Sequence, residues 1–250
     1  MTKRKSPIRH RVRTHKRIGK TVNSFIRGSG QKTLKIANPI ITKNISITYD
    51  KMHQSQLIRM QKAGIKDATL VLVDMHDDMT GSETPEDFKP YLWTKSWEED
   101  PDAQGRWVIP AIKKGLIKKI VFVIPDIKID TIHRKGNLVM KNFKKENDKE
   151  VGEVHGIPVL ITKLNEMSQV TGRNTVLSID ADFLGESEEH WGVQDRWISP
   201  TMIARELKQK VPNPKLVSFF RSKDYLRLEL EGDANTLFAQ LKRVYGGKKQ

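Results

Sequence analysis

Short apolar segments alternate with segments of helical spacing along most of the chain. Five of the apolar segments are too short for helices and lack regular polar alternation, which is typical of strands buried on both faces of a parallel sheet. We predict these strands at residues 69–73, 120–124, 158–162, 175–179 and 216–220. The segments with helical spacing cover residues 50–64, 106–119, 163–171, 199–210 and 234–245. This alternation predicts the α/β class, with a mostly parallel sheet and helices on both faces.

Three further segments fall outside this alternation. Residues 45–49 alternate apolar and polar positions, which predicts an additional strand. Residues 79–102 form a long polar stretch that contains three prolines, and loops of that length inside a compact domain are usually functional. Residues 127–156 are charged and irregular, which suggests an antiparallel insertion or a flap.

Acidic residues follow two of the predicted strands directly. Asp74, His76 and Asp78 come after residues 69–73, and Asp180 and Asp182 come after residues 175–179. Residues two apart point the same way where a strand ends, and in α/β sheets sites lie beyond the carboxyl ends of the strands. Clustered carboxylates are costly to bury unless a cation compensates them. The pattern therefore predicts a metal site; the alternative is that these residues are caps and turn ligands.

The residue types indicate which metals such a site would prefer. If the two strands are neighbours, Asp74 and Asp180 are placed to bridge two cations, with His76 and Asp182 completing one and Asp78 and another imidazole the other. Carboxylates with one or two imidazoles suit Mn²⁺, with Zn²⁺, Fe²⁺ or Co²⁺ as alternatives. Two ions about 3.5–4 Å apart generate a bridging hydroxide and polarise a substrate. We therefore predict metal-assisted hydrolysis, with phosphate esters as an alternative substrate class.

Four short motifs resemble one known family. They are His53-Gln-x-x-Leu57, Asp74-x-His76-x-Asp78, Trp107-x-x-Pro-Ala111 and Ser178-x-Asp180-x-Asp182. The two acidic motifs resemble the paired metal motifs of the ureohydrolases, the superfamily of arginase and agmatinase. All four together are most similar to a mostly uncharacterised arginase-fold branch that includes peptide arginases. The resemblance covers roughly residues 46–225.

This resemblance implies a fold, a cofactor and an activity. The fold would be an arginase-like three-layer α/β/α domain, and the cofactor two Mn²⁺ ions per chain. The activity would be hydrolysis of a C–N bond in a substrate with a cationic nitrogen group, such as the guanidinium of arginine or peptidyl-arginine, through a metal-bridging hydroxide. The ligands carried over are His53, Asp74, His76, Asp78, Asp180 and Asp182.

The chain also departs from the arginase pattern. It lacks the Gly-Gly-Asp-His segment that presents the first metal histidine in arginases, and its first histidine after the acidic motif is His133. No clear match exists for the glutamate that clamps the guanidinium. The catalytic candidates are Asp78, Glu186 and His190. Glu186 and His190 follow the second acidic motif and would serve as acid–base groups or bind a cationic substrate. The alternative for Glu186 and His190 is a solvated loop.

The positive charge of the chain is concentrated at its start. The formal net charge is +15, and residues 1–49 hold thirteen lysines and arginines but no acidic residue. Apolar residues are sparse in residues 1–35, so we predict a poorly ordered basic arm there and one domain over residues 36–250. The arm would bind nucleic acid or another polyanion non-specifically. The alternative is a solvated tail without a partner.

The composition excludes several classes of protein and of metal site. The chain has no cysteine, which excludes disulfides and thiolate metal sites. No apolar stretch is long enough for a membrane span, and the basic start lacks the apolar core of a signal peptide. We therefore expect a soluble, cytoplasmic protein without membrane partners. The rival to an enzyme is a polyanion-associated protein in which the arginase-like domain is a non-catalytic scaffold.

Overall fold

The structure is a computed structural model that describes twelve segments between Ile40 and Gly246. The described residues are 40–42, 45–50, 53, 55–76, 78–79, 107–125, 141–146, 149–172, 174–185, 199–221, 226 and 228–246. All of them lie within the compact unit Ile36–Gln250. The predicted basic arm, residues 1–35, lies outside the described residues, so the division into arm and domain stays a prediction.

Nine strands form one sheet in the described part of the chain. They are β1 (Ile40–Thr42), β2 (Ile45–Asp50), β3 (Ala68–Val73), β4 (Ile117–Ile124), β5 (Lys141–Glu146), β6 (Lys149–Val154), β7 (Ile157–Lys163), β8 (Thr175–Asp180) and β9 (Leu216–Phe220). Their order across the sheet is β1-β2-β9-β8-β3-β4-β7-β6-β5. The five central pairings are parallel, and the three outer ones are antiparallel. The mostly parallel sheet is confirmed, as is an antiparallel pair within residues 127–156.

Helices cover both faces of this sheet. They are α1 (Ser55–Lys62), α2 (Val108–Lys113), α3 (Pro200–Lys210) and α4 (Glu231–Tyr245), with 3₁₀ turns at Ala181–Leu184 and Leu228–Leu230. Because side chains alternate along a strand, Val71 and Val73 pack into the apolar layer under α3 and α4. Leu70 and Leu72 point the other way and pack with α1 and α2. This arrangement is the predicted three-layer α/β/α fold, which is confirmed.

Two of the predicted helices are wrong in extent or in kind. The helix expected over residues 106–119 ends at Lys113, because Gly115 adopts a left-handed φ of 68° and β4 begins at Ile117. Residues 163–171 contain only a turn, closed by the amide of Met167 donating to the Lys163 carbonyl. The amide of Val170 then donates to the Lys210 carbonyl of α3, so this segment is tied to another element instead of continuing as a helix.

The first helix also starts later than predicted. Residue 50 still belongs to β2, where it pairs with Phe220 of β9, so α1 begins only at Ser55. His53 therefore lies in the short connection between β2 and α1. Among the helices that the structure describes, none has both the length and the apolar character needed to cross a membrane.

Candidate metal centre

The acidic motifs meet at the carboxyl ends of two neighbouring parallel strands. Val73, the last residue of β3, is the register partner of Ile179 in β8. Asp74 and Asp180, the next residue of each chain segment, therefore lie side by side and are both buried. Asp182 is also buried and lies in the 3₁₀ turn that follows β8. This placement is the one expected for polar residues that end adjacent strands of a doubly covered sheet.

Backbone hydrogen bonds hold the carboxylates of the centre in place. The amide of His76 donates to Asp74 Oδ1 at 2.8 Å, and the amide of Asp182 donates to Asp180 Oδ1 at 3.3 Å. A third bond crosses between the two segments, from the amide of Met75 to Asp182 Oδ1 at 3.3 Å. Side chains fixed in this way have little freedom to move apart, so their mutual repulsion is built into the folded chain.

His76 joins the two segments through its ring. Its Nδ1 lies 2.8 Å from Asp182 Oδ2 and 3.8 Å from Asp74 Oδ1. The side chain of His76 is 29% exposed, whereas those of Asp74 and Asp182 are at most 1% exposed. Within this group of three, solvent therefore reaches the centre on the His76 side.

The ring of His53 lies between Asp78 and Asp180 and contacts both of them. Its Nδ1 lies 2.7 Å from Asp78 Oδ2, and its Nε2 lies 2.6 Å from Asp180 Oδ2. The imidazole is buried, and its ring centroid is 4.5 Å from that of Phe220 at the end of β9. Trp107 donates from its indole Nε1 to the same Asp78 oxygen at 2.5 Å. These contacts fix both nitrogen atoms of the His53 ring.

The charges in the centre shift two pKa values. Burial acts to lower the pKa of His53, but the charges of Asp78 and Asp180 and the hydrogen bonds to them outweigh it, so this pKa lies well above its ordinary value. Burial, and then the charges of Asp182, Asp78 and Asp180, raise the pKa of Asp74 well above its usual range. Both directions are those expected where carboxylates are buried close together. A bound cation would neutralise the same charge.

Within the described residues, two groups have the composition and spacing to hold a metal ion. One is His53, Asp74 and Asp180, and the other is Asp74, His76 and Asp182; in each, the potential ligand atoms lie within 4.8 Å of one another. Asp74 belongs to both groups, and its Oδ2 is buried without a hydrogen-bond partner. Buried polar atoms are rarely left unpaired, so this oxygen is free to bind a cation that Asp74 would share between the two groups. Carboxylates and imidazoles fit Mn²⁺, Zn²⁺, Fe²⁺ or Co²⁺.

Comparisons with known proteins give similarities at the level of structure only. No protein-family model and no curated protein sequence matches the chain. Similar solved structures include proclavaminate amidino hydrolase from Streptomyces clavuligerus (13% identity, TM-score 0.46), a hypothetical agmatinase from Burkholderia thailandensis (18%, 0.44) and arginase from Medicago truncatula (13%, 0.43). These three belong to the ureohydrolase superfamily, which the sequence motifs also resemble.

The matches cover 80–81% of this chain but only 58–64% of the three similar proteins. The chain therefore spans about three fifths of their length. Because the TM-scores of all three are below 0.5, the function of this chain is inferred from the geometry of the centre and from the motifs of its sequence.

The structure brings all six predicted metal ligands into one cluster. Five of them form the two groups, whereas Asp78 lies outside both groups and contacts His53 and Trp107 instead. The catalytic candidates Glu186 and His190 lie outside the described residues, so their roles stay predictions. In the sequence, Trp107 is marked by a family motif and by the apolar spacing of the helix predicted over residues 106–119. Its contact with Asp78 spans 29 residues, and no local pattern encodes such a contact.

Proposed function

We propose that the protein is a metal-dependent hydrolase that uses two divalent cations, with Mn²⁺ preferred, to cleave a guanidinium C–N bond. The single observation that carries this proposal is the pair of carboxylate–imidazole groups that share Asp74, whose Oδ2 is buried and unpaired. A purely structural cluster would gain nothing from burying four carboxylates together, because such burial is costly unless a cation compensates their charge.

The residues divide between two cation positions. His53, Asp74 and Asp180 would hold one ion, and Asp74, His76 and Asp182 would hold the other. When bound, the ions would supply a nucleophile from water at neutral pH and polarise the substrate. Substrate would approach from the side of His76, whose side chain is 29% exposed. Asp78, Glu186 and His190 are the candidates for moving protons there.

The choice of a guanidinium substrate rests on the paired acidic motifs, which resemble those of ureohydrolases. The similar solved structures are named as an amidino hydrolase, an agmatinase and an arginase. Free arginine, agmatine and peptidyl-arginine are the first substrates to compare. A second class, phosphate esters, is also attacked by dinuclear sites, and it provides the contrasting assay.

We expect the manganese-loaded protein to release urea or an amine from one of these guanidino compounds, because the loaded centre would activate water next to the substrate. Release is measured colorimetrically, with the Asp74→Asn/Asp180→Asn variant as control, and is expected to fall to background in that variant. A protein that holds manganese but cleaves only phosphate esters would overturn the guanidinium assignment while leaving the metal centre intact.

The charge of the first 49 residues favours a second, separate property. We propose that residues 1–35 bind nucleic acid or another polyanion without sequence preference, since twelve of the thirteen cations of residues 1–49 lie there. Deleting residues 1–35 is expected to abolish binding to mixed-sequence nucleic acid at low salt in a gel-shift assay. Full-length protein with Asp74→Asn/Asp180→Asn should bind as the wild type does. Unchanged binding after the deletion would refute this role of the arm.

A further inference from the structure

Six exposed lysines lie where central strands of the sheet begin, at the end of the sheet opposite the metal centre. They are Lys66, Lys113, Lys114, Lys118, Lys119 and Lys215, and we call them the basic edge. In the connections that carry them, residues 64–68, 113–119 and 211–215, Asp67 is the one acidic residue. The parallel strands therefore begin at a positively charged surface and end at the acidic cluster.

Backbone hydrogen bonds bring these lysines together although they are distant in sequence. The amide of Lys215 donates to the Thr175 carbonyl at the start of β8 at 2.7 Å. The amide of Asp67 donates to the Gly115 carbonyl at 3.0 Å, which places the connection before β3 against the connection before β4. The basic edge is therefore one continuous surface across the starts of β9, β8, β3 and β4.

The strand register gives the length of the basic edge. Lys119 of β4 is the partner of Thr69 in β3, and Thr69 is the partner of Thr175 in β8. Lys215 lies level with Thr175, because the next residues of the two segments are paired. Lys119 and Lys215 are thus at the same level and three strand spacings apart, which is about 14 Å. Over that length a DNA duplex presents roughly eight phosphate charges.

The usual structural reasons for surface lysines do not account for most of these positions. A lysine in the last turn of a helix complements the helix dipole, which explains Lys113 in α2. Lysines on edge strands prevent pairing between sheets, but β3, β4, β8 and β9 are all internal strands. Neither reason applies to Lys118, Lys119 or Lys215. None of these three forms an ion pair with a described residue.

We propose that the basic edge is a second contact surface for the phosphate backbone of nucleic acid, used together with residues 1–35. This inference rests on the proposed binding of polyanions by those residues. A few lysine–phosphate contacts alone give only weak non-specific binding, so the basic edge by itself would not retain nucleic acid in a gel. Nucleic acid held by the start of the same chain is present at a high effective concentration, at which these weaker contacts form.

The chemistry of the basic edge fits a phosphate backbone without readout of sequence. Lysine offers a point charge, and phosphate contacts position a nucleic acid without specifying its bases. Binding to a membrane surface usually adds apolar side chains that enter the lipid. Among the described residues, the exposed large apolar side chains are Ile58, Met202 and Leu228, which lie near the starts of α1, α3 and α4 and outside the basic edge. Anionic vesicles are therefore the contrasting probe.

The test is the salt dependence of binding between the full-length protein and a short mixed-sequence DNA duplex, measured by fluorescence anisotropy. The variant Lys118→Gln/Lys119→Gln/Lys215→Gln removes three charges from the basic edge. Each lost lysine–phosphate contact lowers the steepness of log K against log salt concentration by about 0.9. We therefore expect the slope to fall in magnitude by about 2–3 in this variant. Binding at low salt persists, because residues 1–35 are unchanged.

A matched control removes the same charge from another part of the surface. Lys144→Gln/Lys145→Gln/Lys149→Gln changes three lysines of β5 and β6, the outermost strands on one side of the sheet. Because net charge falls equally in the two variants, a general loss of long-range attraction would lower both slopes alike. We expect the control slope to stay close to that of the wild type. The thermal unfolding midpoints of both variants should match the wild type, since none of the six side chains is buried.

The outcomes separate the basic edge from residues 1–35. A reduced slope confined to the basic-edge variant supports the proposal. If the wild type binds the duplex and the basic-edge variant keeps the wild-type slope, the basic edge is refuted and the role of residues 1–35 stands. Equal reductions in both variants also refute it, because they report total charge alone.

Two further results would overturn the proposal. If the basic-edge variant loses binding to anionic phospholipid vesicles but keeps the wild-type slope on DNA, the partner of this surface is a membrane. If the wild type binds no duplex at low salt, the proposed binding by residues 1–35 fails, and the basic edge fails with it. The first result appears only in the variant and the second already in the wild type, so the two failures are distinguishable.

Discussion

The Asp74→Asn variant is expected to lose both metal ions, with an affinity for manganese at least about 100-fold below that of the wild type. Asp74 is the one residue common to both candidate groups, so a single change removes a charged ligand from each. The asparagine keeps the size of the side chain and one carbonyl oxygen, but it removes the negative charge that holds a divalent ion. Metal content after loading and desalting measures the effect.

The exposed Asp67 provides the matched control for this variant. Asp67 is close in sequence to Asp74 and has a left-handed φ of 49°, a conformation that asparagine tolerates well. Asp67→Asn should therefore retain full metal content and wild-type stability. Undiminished metal binding in Asp74→Asn would show that the shared carboxylate does not organise the centre, and both cation positions would have to be reassigned.

The same Asp74→Asn substitution is expected to stabilise the metal-free protein, raising the free energy of unfolding by about 1–3 kcal/mol at neutral pH. Asp74 is fully buried, its Oδ2 has no hydrogen-bond partner, and three further carboxylates raise its pKa. A neutral amide relieves that repulsion. Loss of function with a gain of stability is typical of residues retained for a binding site.

The pH dependence of this gain follows from the direction of the pKa shift. The folded protein holds the proton of Asp74 more tightly than the unfolded chain does. The cost of ionising Asp74 is therefore absent below the unfolded pKa and is complete only above the raised folded value. Urea denaturation of metal-stripped wild type and Asp74→Asn should show a difference at pH 7 that shrinks in acid. A variant less stable than the wild type at pH 7 would mean that Asp74 supports the fold itself.

Much of the fold follows from local patterns, and the exceptions have physical causes. Apolar runs such as residues 69–73 and 175–179 predict buried strands because both faces of each strand are covered. The helix predicted over residues 106–119 was too long because apolar spacing continues past Gly115, where the backbone turns. Whether Ile117 extends a helix or begins β4 is decided by pairing with Ala68 of β3, which is 49 residues away in sequence.

In the site, too, some residues follow from local sequence spacing and others depend on contacts between distant parts of the chain. Alternating acids after two strands predict the cluster, because side chains two residues apart share a direction. His53 is different, since its place depends on β2 pairing with β9 and on β9 pairing with β8. No local pattern encodes that order of strands, and only the resemblance to a family motif identified His53. The contact of Trp107 with Asp78 depends on tertiary packing and was not predicted.

The most direct test of the metal centre is elemental analysis of the purified protein after manganese loading and desalting, beside the Asp74→Asn/Asp180→Asn variant. The two groups around Asp74 predict about two ions per chain in the wild type and essentially none in the variant. Wild-type protein without bound metal, or a variant with unchanged metal content, would contradict the assignment of this cluster as a metal centre.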